Sequence, residues 1–286
     1  MASKILKISI LKIILLFTVI VFFINLLLLN YNKHYSLKHL ISLLKVYTVY
    51  DHKGPIKLIR LGKDNDGGYI VPELAIKNAN SLIGYGIDND ISFEEQFSER
   101  YNKPSYGFDC GITHIKIKNK LCHFIPECIA NDNFLYKIQK IKSLKKISSF
   151  SQQLNNLKLQ EKQIFIKMDI EGAEYNALPE ILNYAKNITG IVFEIHITND
   201  QEIKKAINLL HLINKQFLLI HVHANNFSPI LISQGFTKKL TNVVELTYIN
   251  KSLVHKFKAT EPKDYYLPID MPNDPTKKEI KWINTK

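Results

Sequence analysis

The chain is expected to fold as an α/β domain, a mostly parallel sheet with helices on both faces, behind an N-terminal membrane helix. Three features predict this. From residue 81 onward, short apolar runs of strand length alternate with helical patterns, the alternation that builds βαβ units and a parallel sheet. The first of these runs ends in a Gly-x-Gly turn and is followed at once by a helical pattern. Carboxylates and histidines collect where the later runs end, which in a doubly wound sheet is where ligands bind.

Residues 1–12 are a short basic terminus carrying Lys4, Lys7 and Lys12. Residues 13–32 then carry no charge, and about 20 mainly apolar residues are what a helix needs to cross a bilayer. A cleaved signal peptide would have a shorter apolar region ending in small residues. This segment runs instead through Asn25 and Leu26 into Asn30-Tyr31-Asn32, so an uncleaved single-pass anchor, with membrane lipid as its partner, is the expectation. Lys33, Lys38 and Lys45 balance the lysines before it, which leaves open the side of the membrane on which the following domain lies. Residues 33–55 read as a linker with helical character from Ser36 to Val49, and 56–260 as the domain. Residues 261–286, rich in proline and charge, read as a polar tail on the surface.

Within the domain, Asp66-Gly67-Gly68 is a turn signal between Lys57–Leu61 and Tyr69–Val71, which predicts a hairpin. Strands are expected at Ser81–Tyr85, Ser105–Phe108, Ile164–Met168, Gly190–Ile195, Phe217–Val222 and Val243–Ile249. Helices are expected at Ser92–Tyr101, Ser151–Leu159, Glu174–Tyr184 and Gln201–Asn214, the first opened by a capping box of Ser92 and Glu95.

Composition narrows the function classes. The 286 residues carry a formal charge of +12, but Arg60 and Arg100 are the only arginines. Base reading and bidentate phosphate recognition favour the planar guanidinium, so no nucleic acid is expected as a partner. Cys110, Cys122 and Cys128 are odd in number and show no CxxC. Free or buried thiols are expected, with Cys122–Cys128 as the bridge an oxidising compartment would allow.

The chemistry gathers at strand ends. Gly84 and Gly86 would let the backbone approach a nucleotide closely, yet Ile87-Asp88-Asn89-Asp90 replaces the third glycine of a dinucleotide fingerprint. Those acids would repel a pyrophosphate, which points to a cofactor without phosphate, such as S-adenosylmethionine. Asp109, about 25 residues after Gly84, suits hydrogen bonds to ribose hydroxyls. Asp169, Glu171 and Glu174 are delivered into one turn after Ile164–Met168, and crowded carboxylates need cationic partners, a metal or a shared proton. Glu194 and His196 end the next strand, and His221, His223, Asn225 and Asn226 the one after.

The run Lys167-Met168-Asp169-Ile170-Glu171-Gly172-Ala173-Glu174 resembles the most distinctive motif of the FkbM-like methyltransferases of the S-adenosylmethionine class. Arg60-Leu61-Gly62, Asn65-Asp66-Gly67-Gly68-Tyr69, Gly84-Tyr85-Gly86-Ile87 and Ser92-Phe93-Glu94 are similar to a related, often membrane-anchored methyltransferase-like subgroup, the resemblance covering about residues 57–250. The resemblance implies a Rossmann-like class I methyltransferase fold with a seven-stranded sheet, and methyl transfer usually to oxygen, often on glycan, lipid-linked or other hydroxyl acceptors. By position it assigns Gly84, Gly86, Asp109 and Asp169 to the cofactor. The chain departs from the pattern at Ile83, where related families often carry an acid.

Glu171 or His196 is the expected base, with Asp169 at the cofactor's amino end and His223, Asn225 and Asn226 lining the acceptor site. A divalent metal on Asp169, Glu171, Glu194 and His196 is a less favoured alternative. Two rival classes are a non-catalytic tethered module on the same fold and a metal-dependent glycosyltransferase using a nucleotide sugar.

Overall fold

The computed structural model describes residues 18–23, 25, 36–131, 146–231, 240–261 and 265–280. Among these, no helix is long and apolar enough to cross a membrane, which corrects the expectation of a single-pass anchor over 13–32. Of that segment only 18–23 and 25 are described, as helix; the rest of it lies outside the described residues.

The stretch read as a linker is built into the domain. Helix α1 (36–43) places Leu37 and Leu40 in the core, and Leu44 follows them in. The helical character expected through Val49 ends at residue 43, and strand β1 (Tyr47–Asp51) follows and buries Val49. The expected hairpin forms from β2 (Leu58–Leu61) and β3 (Tyr69–Pro72), paired antiparallel with Leu61 opposite Tyr69. A short helix α2 (Glu73–Asn78) follows.

Six of the seven strands of the main sheet were expected: β4 (Ser81–Tyr85), β5 (Ser105–Phe108), β7 (Ile164–Met168), β8 (Ile188–His196), β9 (Phe217–Ala224) and β10 (Val243–Asn250). The seventh, β6 (Cys122–Ile125), was not. Their spatial order is β9-β10-β8-β7-β4-β5-β6. Strands β4 to β8 are mutually parallel, and β10 runs antiparallel to both its neighbours. This is the Rossmann order with one antiparallel strand wedged between the fifth and sixth. From the central pair β4 and β7 the chain winds outward in opposite directions, so the topological switch point lies between them.

Side chains alternate along each strand and fill two cores. Ile83, Ile166 and Phe193 pack on one face with α1, α4 (Phe150–Leu157), α5 (Glu174–Ile181) and α6 (Asp200–Ile213). Leu82, Phe165 and Val192 pack on the other with the hairpin, α2 and α3 (Ser92–Tyr101). Each large side chain so buried contributes about 1.5–3 kcal/mol.

The capping box expected at Ser92 and Glu95 does not form. The Ser92 hydroxyl accepts the Lys63 N–H at 2.9 Å, and Glu95 accepts the N–H groups of Lys118 and Asn119. Both side chains tie neighbouring loops to the helix instead. A true capping box opens α4, between Ser149 and Gln152.

The cysteine expectation is corrected as well. Cys110 and Cys128 form a disulfide, Cα atoms 4.9 Å apart, and Cys122 is free and buried. Parallel pairing of β5 with β6 brings the loops that leave them side by side, which joins Cys110 to Cys128, while Cys122 starts β6 and packs against Ile87 and Ile91. Burial pushes the Cys122 thiol up to about 12.

A last strand, β11 (Lys256–Ala259), pairs antiparallel with β1. The tail then docks over the ends of β9 and β10, burying Tyr265, Asp270, Asn273 and Asp274. Asn226 exchanges hydrogen bonds with the backbone of Asp274, donating to its carbonyl at 2.9 Å and accepting its N–H at 2.7 Å.

Candidate active site

A cleft of about 510 Å³ opens at the carboxyl ends of β4, β5 and β7, at the switch point. Its lining is strongly acidic in a basic chain. Asp66, Asp88, Asp90, Glu94, Asp109, Glu127, Asp169 and Glu171 face it against Lys63 and Lys167.

Strand β4 delivers the first wall. Gly86 has a φ of 74°, and a Cβ there would run into the Asp169 carbonyl oxygen. Only glycine lets the loop after β4 lie against the loop after β7. Strand β5 ends at Asp109, whose Oδ2 accepts the N–H groups of Ile87 and Asp88 at 3.0 and 2.9 Å, while Oδ1 accepts that of Gly111 at 2.5 Å. An ionised carboxylate has about four acceptor sites, so Asp109 shapes the loop and keeps roughly one site for a ligand. The Cys110–Cys128 bridge follows in the same wall.

Strand β7 supplies the centre. Asp169 Oδ2 accepts the Tyr69 hydroxyl at 3.1 Å, which ties the hairpin to the site, and its Oδ1 is buried without a hydrogen-bond partner. Burial raises the Asp169 carboxyl above its ordinary value against the opposing pull of Lys167. The Lys167 ammonium donates to the Gly86 carbonyl at 2.6 Å and lies 5.6 Å from the Tyr69 ring centre. Glu171, at φ 54°, is turned out to solvent at the cleft edge.

His196, at the end of β8, stands behind Glu171 rather than in the lining. Its Nδ1 lies 3.1 Å from Oε1 of the buried Glu174, which also accepts the His196 N–H at 2.9 Å. Its Nε2 lies 3.3 Å from Glu171 Oε2 and 4.0 Å from Glu194 Oε2. Burial alone would push the imidazole towards neutrality; Glu174, then Glu171 and Asp169, outweigh it and raise its pKa. Asp169, Glu171 and His196 each offer an oxygen or nitrogen within 4.8 Å of the others.

The structure thus gathers Gly86, Asp109, Asp169 and Glu171 around one cleft, with His196 adjoining and Gly84 beneath it. His223, Asn225 and Asn226 do not line it. His223 is buried between Glu245, at 3.2 Å, and Glu279, at 3.2 Å. Asn225 donates to Glu194 at 3.4 Å, and Asn226 holds the tail. The expectations missed Tyr69, Asp66 and above all Glu94. Helical spacing held the signal for Glu94, which lies three residues before Phe97 and shares its buried face.

No family model and no curated protein matches the chain. Among solved structures it is similar to a Methanococcus jannaschii fibrillarin pre-rRNA processing protein, with 14% identity over 68% of this chain and 82% of that one, at a TM-score of 0.32. That likeness is too loose to carry an argument about activity.

Proposed function

We propose that this chain is an S-adenosylmethionine-dependent methyltransferase of FkbM-like type, acting on a hydroxyl of a glycan, lipid-linked or small-molecule acceptor. The observation that supports it most is the acidic cleft at the switch point, with carboxylate oxygens of Asp169 and Glu94 that have no partner. Buried unpaired carboxylates are costly, and they suit a cationic, phosphate-free ligand while opposing a bare diphosphate. S-adenosylmethionine, when bound, supplies a methyl group activated on a sulfonium.

The chain's own residues then position and deprotonate. Gly86 gives backbone access, Asp109 offers its remaining acceptor site to the ribose, and Asp169 holds the methionine end. Glu171, at the cleft edge, takes the acceptor proton and shares it with His196, whose ring is fixed from behind by Glu174. Base orientation by a buried carboxylate follows the logic of nucleophile–base–orienter arrays, and most of the rate would come from placement. The test is calorimetric titration of the full chain with S-adenosylmethionine, with a nucleotide sugar as control. Binding that Asp109→Ala weakens is the expected result. A folded chain that binds neither ligand would favour the non-catalytic module, and preference for the nucleotide sugar the glycosyltransferase.

This arrangement sets a pH dependence. His196 must be neutral to share the proton, so kcat/KM should rise with pH through an apparent pKa above the ordinary histidine value of about 6.5. Glu174→Gln removes the largest force holding that value up, and should move the limb to lower pH. An unshifted limb in that variant would remove His196 from the proton path.

The three ligand atoms on Asp169, Glu171 and His196 favour a second reading, in which a divalent cation held there orients the acceptor oxygen. Full activity in a chelator would discard it.

A further inference from the structure

We infer that Glu94, alongside Asp169, is a counter-ion for the α-ammonium group of the bound cofactor, a role that rests on the reading above and that the resemblance does not assign to it. Glu94 sits in the first turn of α3, is fully buried and contributes to the cleft lining. Neither of its carboxylate oxygens has a hydrogen-bond partner. The carboxylate lies directly over Gly84, where a Cβ would collide with it. So the Gly-x-Gly turn makes room for a protein side chain as well as for a ligand. This places an acid against the turn from the helix side, at the point where the strand itself offers Ile83.

The surroundings restrict what Glu94 can do. Lys167 pulls the Glu94 pKa down through its charge, while its ammonium donates to the carbonyls of Gly86, at 2.6 Å, and Tyr85, at 3.4 Å, and makes no hydrogen bond to Glu94. The backbone N–H of Glu94 leans on the carboxylate without reaching hydrogen-bond geometry. Burial is the larger force and raises the Glu94 carboxyl above its ordinary value. A purely structural glutamate at such a position would have found a donor. An ammonium supplies three donors and a charge, and hydrogen bonds to a charged group are stronger than neutral ones.

The experiment compares Glu94→Gln with the unaltered full chain by calorimetry, using three probes. S-adenosylmethionine carries ammonium and sulfonium, S-adenosylhomocysteine keeps only the ammonium, and 5′-methylthioadenosine has neither. The variant should bind the first two about tenfold or more weakly and the third as before, with an unchanged or raised melting temperature, since it removes a buried unpaired carboxylate. Glu94→Asp, which withdraws the charge by one methylene, should lie between the two for the first two probes. Equal affinity of variant and unaltered chain for S-adenosylmethionine would overturn the inference and leave the cofactor reading standing. A loss confined to S-adenosylmethionine would also overturn it, by placing Glu94 at the sulfonium. An unaltered chain that binds none of the three removes the cofactor reading and this inference together.

Discussion

Asp169→Asn is expected to lower kcat/KM for methyl transfer by about a hundredfold or more while leaving the domain folded. The substitution keeps the shape of the side chain. The Tyr69 hydroxyl still finds an oxygen acceptor, and the Asp169 N–H still donates to the Tyr85 carbonyl, 3.0 Å away. What it removes is the charge facing the methionine end of the cofactor. The carboxylate is raised by burial and stands among Glu171 and Glu194, so neutralising it relieves repulsion. The melting temperature should therefore hold or rise. One or two charge-assisted bonds at about 1.5–3 kcal/mol each account for a loss of that size. Turnover equal to the unaltered chain would sink the assignment of Asp169. A fall in activity accompanied by unfolding would make its role structural, through Tyr69.

How much of this was legible before the fold depends on where each residue takes its order from. Strands Ser81–Tyr85, Ser105–Phe108 and Ile164–Met168 form with the expected bounds, because buried parallel strands are short apolar runs with turn signals at both ends. Two of the missed strands lack that signature. Cys122–Ile125 is an edge strand with one buried residue, and Lys256–Ala259 is exposed throughout, its lysines suited to an unpaired edge. Neighbouring strands hold these two in place, with no pattern of their own. In the same way, Asp169, Glu171, Gly86 and Asp109 were readable because strand ends converge in a doubly wound sheet. The place of His223 and Asn226 was not, since it depends on a tail that no periodicity announces. The Asp66 turn, legible as a hairpin, proves to reach further: it lines the cleft and accepts from Asn273 of the tail at 3.3 Å. The sequence pattern drew attention to Glu95 as a capping residue of α3, whereas the buried face of that helix carries Glu94 with Phe93 and Phe97.

The tail carries the second large effect. His223→Gln is expected to destabilise the fold by about 3–5 kcal/mol, the range for removing one member of a buried ion pair. Burial alone would neutralise the His223 imidazole; Glu245, and then Glu279, overcome it and hold its pKa well above the ordinary value. Burial likewise opposes ionisation of Glu245, yet His223 and the Asn273 amide, 2.7 Å away, keep its carboxyl low. Asp270, 2.9 Å from His221, is lowered in the same manner. The signs set a window. The lowered carboxylates add stability above their unfolded range of about 4 and lose it as pH falls through their folded values. The raised His223 contributes fully below about 6.5 and loses its share as pH rises through its folded value. Tail docking should therefore be strongest in mildly acid to neutral solution, with melting temperature falling on both sides. In His223→Gln the alkaline fall should flatten while the acid one persists through Asp270. Parallel melting curves for the two chains from pH 4 to pH 10 would mean that the pair is not what holds the tail. Asp66 belongs to both the tail network and the cleft, so loosening the tail should also weaken cofactor binding, by less than the Asp109 and Glu94 substitutions that act on the cleft directly.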